Sequence, residues 1–65
     1  MYQYDTIKTT TCGNVELNLA FDGTVYFVGL WRDGHDCLIH RPFESKQEAI
    51  LAYSCMLSTI KALNE

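Results

Sequence analysis

The residues with the most obvious capacity for chemistry lie in the run HDCLIH, residues 35–40. Imidazole nitrogen and thiolate sulfur are the ligands that tetrahedral zinc sites use. In an extended strand, however, His35 and Cys37 share one face while His40 points to the other. A fourth ligand would have to be Cys12 or Cys55. The spacing therefore indicates ordinary strand residues, and we expect neither a metal nor a cofactor.

A cysteine–histidine nucleophile meets a similar difficulty. Strand alternation places Cys37 on the inner face of the predicted sheet, and a buried thiol is inert rather than activated. The sequence contains no paired carboxylates, no glycine-rich phosphate loop and no serine elbow. We therefore expect no catalytic residue and a protein that is not an enzyme.

A helix is predicted from Ser45 to Leu63. Ser45 and Glu48 have the spacing of a capping box, and Lys61 lies in the last turn, where the helix dipole favours a cation. A rotation of about 100° per residue gives one ordinary core stripe. That stripe contains Ala49, Ala52, Tyr53, Met56, Ile60 and Leu63, with Ile50 and Leu57 at its margin.

The opposite side of this helix lacks the charges that a solvent-exposed side normally carries. It holds Leu51, Cys55, Ser58 and Ala62, which we call the second helix stripe. Small side chains of this kind tolerate water, but they also let two helix backbones approach closely. We expect the second helix stripe to form the interface of a homodimer through an antiparallel helix pair.

Length and composition limit the possible classes of protein. A single domain of 65 residues buries only about 60% of its unfolded surface and needs a partner, a metal or disulfides for stability. The three cysteines are an odd number without a CxxC pair, which indicates a reducing, cytoplasmic environment. No apolar run approaches the ~20 residues of a membrane span, and no signal-peptide core is present.

Four strand-like segments precede the helix. They are Met1–Thr11, a polar edge strand; Val15–Phe21; Thr24–Arg32; and His35–Arg41, which Pro42 ends. Asp22-Gly23 and Asp33-Gly34 are signals for two-residue hairpin turns. The sequence therefore predicts an α+β fold: an antiparallel three- to four-stranded meander sheet packed on one C-terminal helix.

The two hairpin turns predict which side chains share a face, since opposite residues do so. With Phe21 opposite Thr24 and Arg32 opposite His35, the inner face holds Val15, Leu17, Leu19, Phe21, Tyr26, Val28, Leu30, Cys37 and Ile39. The outer face holds Glu16, Asn18, Ala20, Val25, Phe27, Gly29, Trp31, Asp36, Leu38 and His40. For the first strand, a two-residue loop places Cys12, Thr10 and Lys8 inward, whereas one more residue places Ile7 inward.

The predicted outer face contains an apolar patch of Val25, Phe27, Trp31, Leu38 and His40. Exposed apolar patches on small proteins usually mark interfaces, and Trp and Phe commonly anchor protein contacts. We expect this patch to bind a protein partner.

Nucleic acid is the alternative partner, because aromatic side chains on a sheet also stack single-stranded bases. Arg32, His35 and Arg41 would then supply the positive charge. The net charge of −3 disfavours this alternative.

Part of the chain resembles a known family. From Gly23 to Tyr53, a central strand with Trp31 and a tight Gly turn precede Phe43, Ser45, Glu48, Ala49, Ala52 and Tyr53. This order is similar to the F-x-T-x-E-E-A-x-x-A-Y pattern of the three-strand-plus-helix domains of plant AP2 factors and integrase arm-binding domains. The resemblance covers about half the chain and implies the same fold.

In that family the outer sheet face enters the DNA major groove with Arg and Lys. The matching positions here are Val25, Phe27, Trp31, Asp36, Leu38 and His40, so the resemblance implies the fold more strongly than DNA binding. We therefore expect a small interaction protein of accessory or inhibitor type, such as a phage-encoded one, that binds through its apolar patch.

Overall fold

Four antiparallel strands and one helix form the architecture of the chain. The structure, a computed structural model, describes residues 5–63. The elements are β1 (Asp5–Cys12), β2 (Val15–Phe21), β3 (Tyr26–Arg32), β4 (Asp36–Phe43) and α1 (Lys46–Leu63). The strands pair in chain order as a meander, which confirms the predicted α+β fold with four strands. The beginning of the predicted first strand, residues 1–4, lies outside the described residues.

The helix packs across one face of the sheet and forms the core there. The buried hydrophobic side chains are Leu17, Leu19, Val28, Ala49, Tyr53 and Ile60. The three strand residues belong to the predicted inner face, and the three helix residues belong to the predicted core stripe. Burying a Leu or Val side chain completely contributes about 1.5–3 kcal/mol, so this small cluster provides much of the stability.

The loop between β2 and β3 is longer than predicted. Phe21 lies opposite Tyr26, which leaves a four-residue loop, whereas the sequence predicted a two-residue turn with Phe21 opposite Thr24. Asp22 Oδ1 accepts hydrogen bonds from the backbone N–H groups of Val25 and Thr24, each at 2.9 Å. This side chain organises the loop, and Gly23 follows it at φ 100°. Because the loop is longer by an even number of residues, the face assignment of β3 is unchanged.

The turn between β3 and β4 also differs from the prediction. Arg32 lies opposite Asp36 rather than His35, and Trp31 lies opposite Cys37. An irregularity then shifts the register, so that Leu30 lies opposite Ile39. The three-residue loop moves the pairing by one residue, and the extra residue at Leu38 moves it by one more. Ile39, His40 and Arg41 therefore keep their predicted faces.

Cys37 is exposed, so the prediction that it is buried on the inner face is wrong. The physical reason is the position of the turn: a loop one residue longer places Cys37 opposite Trp31, which is an outer-face residue. Its Sγ lies 3.7 Å from the Ile39 carbonyl oxygen, to which it donates.

The register of β1 follows one of the two alternatives left open by the sequence. Cys12 lies opposite Val15 across a two-residue turn, so Cys12, Thr10 and Lys8 point toward the helix. The Thr10 hydroxyl and the Tyr53 hydroxyl are 2.5 Å apart and form a hydrogen bond. Lys8 Nζ lies 5.7 Å from the centre of the Tyr53 ring, which is cation–π geometry.

Both edge strands of the sheet are irregular. In β1 the pairing shifts between Thr6 and Lys8, and Ile7 is exposed. In β4 the irregularity at Leu38 is followed by Pro42, which lies within the strand opposite Phe27. The prediction that Pro42 ends this strand is therefore wrong. An edge strand accommodates proline because one row of its backbone groups has no neighbouring strand.

The helix begins and ends close to its predicted limits. The Glu48 N–H lies 3.5 Å from Ser45 Oγ, consistent with Ser45 as N-cap. Leu63 was predicted to belong to the core stripe, but it is 80% exposed. It is the last residue of α1, and the sheet does not cover it.

Candidate protein-interaction site

The outer sheet face is the side of the sheet that α1 leaves uncovered. Its members, taken from the strand register, are Thr6, Thr9, Thr11, Glu16, Asn18, Ala20, Phe27, Gly29, Trp31, Cys37, His40 and Pro42. Three of its side chains, Phe27, Trp31 and His40, are neighbouring rings, which we call the aromatic platform. The platform lies on β3, which is a central strand of the sheet, and on β4, which is an edge strand.

Trp31 lies over the backbone of Gly29. A Cβ atom placed at Gly29 would be 3.0 Å from Trp31 Nε1 and 3.7 Å from His40 Cδ2. The first distance is shorter than ordinary van der Waals contact, so the glycine leaves the room that the indole occupies. Gly29 itself is buried beneath these side chains. Its place in a strand interior, where glycine is usually unfavourable, is explained by this close approach.

Phe27 and His40 complete the platform. Their ring centres are 4.7 Å apart and their planes differ by 13°, so the rings are stacked. His40 lies directly opposite Gly29, while Phe27 lies opposite Pro42. The stack and the neighbouring indole therefore form a continuous aromatic surface across β3 and β4.

A shallow depression of about 180 Å³ lies on this face. Its lining consists of Thr6, Asn18, Ala20, Phe27, Gly29, Trp31 and His40. The absent side chain at Gly29 and the small one at Ala20 create the space, and the rings border it. The side-chain oxygen Oδ1 of Asn18 accepts a hydrogen bond of 3.0 Å from Thr9 Oγ1, which fixes the side-chain amide at the margin of the depression.

Two members of the predicted apolar patch do not line the depression. Val25 belongs to the loop before β3, where its N–H binds Asp22, rather than to the strand. Leu38 occupies the irregularity in β4 and is 45% exposed. The structure thus brings together Phe27, Trp31 and His40 of the predicted patch.

The basic hairpin of the nucleic-acid alternative has partly neutralised charges. Arg32 Nη2 lies 3.4 Å from Asp36 Oδ2, and His35 Nε2 lies 4.0 Å from Asp36 Oδ1. His35 Nδ1 is also 2.9 Å from the Asp33 carbonyl oxygen. Arg41 lies opposite Val28, which assigns it to the helix side of the sheet rather than to the platform.

The second helix stripe is exposed along its whole length. Leu51 is 66% exposed, and Cys55, Ser58 and Ala62 are also exposed. The adjacent Thr59 donates its hydroxyl to the Cys55 carbonyl oxygen at 3.1 Å. The stripe is therefore available to another molecule.

An apolar groove of about 270 Å³ lies beside the C-terminal half of α1. It is lined by Leu30, Ile39, Cys55, Met56, Thr59, Ile60 and Leu63. The groove was not predicted from the sequence, because Leu63 was assigned to the core stripe. The helix leaves the β4 side of the inner sheet face incompletely covered. The helical periodicity of the sequence cannot reveal this uncovered area, because it depends on the angle at which the helix crosses the sheet.

The HDCLIH run is arranged differently from the expectation. Cys37 and His40 both belong to the outer sheet face, whereas His35 lies in the turn. Within residues 5–63, no three His, Cys, Asp or Glu side chains are grouped so as to hold a metal ion. All three cysteines are free thiols.

In the part of the chain that the structure describes, the helix lacks the apolar length needed to cross a membrane. No protein-family model, curated protein or solved structure matches the chain. The AP2-like resemblance consequently stays a prediction, and the geometry of the site carries the functional argument.

Proposed function

We propose that this chain is a small non-enzymatic interaction protein whose outer sheet face docks a protein partner. The observation that supports it is the aromatic platform of Phe27, Trp31 and His40, which lies on a sheet face that no element within residues 5–63 covers. Aromatic side chains lose little conformational entropy on binding and are frequent energetic centres of protein interfaces. The depression beside Gly29 would receive an apolar side chain of the partner.

We further propose that the protein is a homodimer assembled through the second helix stripe. Leu51 is a large exposed apolar side chain, and Cys55, Ser58 and Ala62 are small enough for two helices to approach closely. This interface is on the opposite side of the molecule from the platform, so a dimer would present two platforms. A cytoplasmic location belongs to the same proposal and is supported by the free thiols. A phage-encoded accessory role also belongs to it, on the basis of the short chain and its negative net charge.

Nucleic acid is the second candidate partner, favoured by the platform because bases stack on exposed rings. The location of the charges argues against it. Arg32 is paired with Asp36, and Arg41 lies on the helix side of the sheet. A base-stacking surface normally has cations beside the rings to contact phosphates, and these two arginines are not so placed.

The proposal is tested with a photoreactive amino acid at position 20, within the depression, and another at position 44, exposed between β4 and α1, as a control. Crosslinking in a candidate host lysate should trap a partner only from position 20. The trapped protein is then purified and its affinity measured. Trp31→Ala should reduce that affinity at least tenfold, the scale of an interface anchor. Leu51→Ala, on the opposite side of the molecule, should leave it unchanged.

Salt dependence separates the two candidate partners. Binding to a protein through apolar rings should change little between low and high salt. Binding to nucleic acid should weaken steeply, with a slope set by the number of phosphates contacted. An unchanged affinity for the trapped protein in Trp31→Ala would remove the proposed role of the platform.

The dimer is tested separately by sedimentation. Leu51→Glu should dissociate it, because the new carboxylate would be buried without a partner. Thr24→Glu adds the same charge in the exposed loop between β2 and β3, away from the stripe, and should leave the dimer intact. A wild-type chain that is already monomeric at micromolar concentration would contradict the dimer while leaving the platform proposal standing.

A further inference from the structure

The charges of the chain are distributed unequally between the two faces of the sheet. The sequence has five lysines and arginines. Lys8, Arg32 and Arg41 occupy helix-side positions of the strand register, opposite Leu19, Val15 and Val28 respectively. Lys46 and Lys61 belong to α1. None of the five therefore belongs to the outer sheet face.

One carboxylate does belong to that face. Glu16 lies directly opposite Trp31 in the register and opposite Thr11 on its other side. It is half-buried, and it has no ion-pair partner among residues 5–63. Opposite residues of an antiparallel pair have Cβ atoms roughly 4.5–5.5 Å apart, so the carboxylate and the indole are within reach of one ligand group.

We propose, building on the function proposed above, that the partner presents an arginine side chain that stacks on Trp31 and pairs with Glu16. The indole is the aromatic ring most favourable for cation–π contact, and it is only partly buried, with Nε1 close to Gly29. The guanidinium group is planar and stacks on rings while its N–H groups bind a carboxylate. Lysine cannot satisfy both groups in the same way.

Complementary charge favours this occupant over a second copy of the chain. Each copy has a net charge of −3, and its own Arg32 is already paired with Asp36. Docking the outer faces of two copies would bring the two Glu16 carboxylates together without cations. A basic segment of another protein would supply the opposite charge that this face lacks.

The experiment uses three synthetic peptides of glycine and serine that differ only at two positions, which hold arginine, lysine or citrulline. Citrulline has nearly the shape of arginine without its charge. Binding is followed by NMR through the indole N–H of Trp31, the single tryptophan, and the amide of Gly29. Glu16→Gln removes the carboxylate at the site, and Glu44→Gln removes one elsewhere on the chain, which controls for net charge.

The arginine peptide should shift both signals and bind more tightly than the lysine peptide, while the citrulline peptide should bind weakest. Glu16→Gln should weaken arginine binding by roughly three- to fivefold, the scale of an exposed ion pair. Glu44→Gln should change it by less than twofold. Binding through Trp31 that is unaffected by Glu16→Gln, or equal for arginine and citrulline, would overturn the arginine assignment.

The crosslinking experiment keeps this inference distinct from the proposed function. Should Trp31→Ala abolish partner binding while Glu16→Gln has no effect, the platform binds a protein, but not through arginine. If the NMR signal of the Trp31 indole N–H shifts with protein concentration in the absence of peptide, the outer sheet face binds a second copy of the chain. That result would also overturn the inference.

Discussion

Gly29→Ala is expected to disturb the aromatic platform while leaving the fold intact. The added Cβ would lie 3.0 Å from Trp31 Nε1, whereas ordinary contact is 3.4–4 Å. The indole must therefore move outward by a few tenths of an ångström to restore normal contact. The other atoms near the Cβ, His40 Cδ2 and the Ile39 carbonyl oxygen, are at 3.7 and 3.8 Å and need not move.

The free energy of unfolding should change little in this variant. The backbone of Gly29 does not have the positive φ that penalises alanine. Alanine there restricts the unfolded chain and stabilises by about 0.4–1 kcal/mol. Displacing the indole loses a few atom contacts of about 0.1–0.2 kcal/mol each, which offsets that gain. We expect a net change within about 1 kcal/mol.

Gly23→Ala is the matched control, since it makes the same chemical change in the loop that precedes β3. No atom lies within 4 Å of its Cβ position, but its φ is 100°. Alanine in this backbone region costs about 1–2 kcal/mol. This variant should lose stability and leave Trp31 unchanged, the reverse of Gly29→Ala.

Urea unfolding measures the stability of both variants, and tryptophan emission with the indole N–H chemical shift reports on the platform. Gly29→Ala should shift the emission and the indole signal, and it should weaken partner binding. If both Trp31 signals match those of the wild type, the indole does not lie on Gly29 and the description of the platform is wrong.

Two further predictions concern the framework beneath the site. Tyr53→Phe should lower the free energy of unfolding by about 1 kcal/mol, because it removes the hydroxyl that forms a hydrogen bond with Thr10 at 2.5 Å. In a double-mutant cycle with Thr10→Val, the two losses of stability should be non-additive. Additive losses would contradict the hydrogen bond. The N–H groups of Val25 and Thr24 hold the pKa of Asp22 below its ordinary value of 3.8. The charged form of Asp22 therefore stabilises the fold above that pH, and this contribution is lost as pH falls through the lowered pKa. Asp22→Asn should therefore lose less stability than the wild type between pH 5 and pH 2 in urea titrations, and identical pH profiles would show that the carboxylate does not organise the loop.

Much of the fold follows from hydrophobic alternation in the sequence. Leu17, Leu19 and Val28 were assigned to the inner face through two turns, and all three are buried. Both turns were predicted too short, yet the predicted faces survive except at Asp36 and Cys37, which exchange faces. A loop longer by two residues preserves alternation, and the one-residue error before Asp36 is corrected by the irregularity at Leu38.

The sequence is less informative where a position depends on neighbours in space. Cys37 lies between the turn and the irregularity, where alternation fails, so its face was predicted incorrectly. Leu63 falls on the core side of the helix by its spacing, but it lies beyond the part of the helix that the sheet covers and is exposed. The indole of Trp31 on Gly29 is a contact between residues of one strand, and no periodic pattern indicates the direction in which a tryptophan side chain lies.

The irregular edges of the sheet also limit how copies of this protein can associate. A regular edge strand is a template on which another strand can add, and repeated addition leads to filaments. The break at Ile7 in β1, and those at Leu38 and Pro42 in β4, interrupt that template on both sides. Growth by strand addition is therefore hindered in either direction, which leaves faces rather than edges for assembly and favours complexes of finite size.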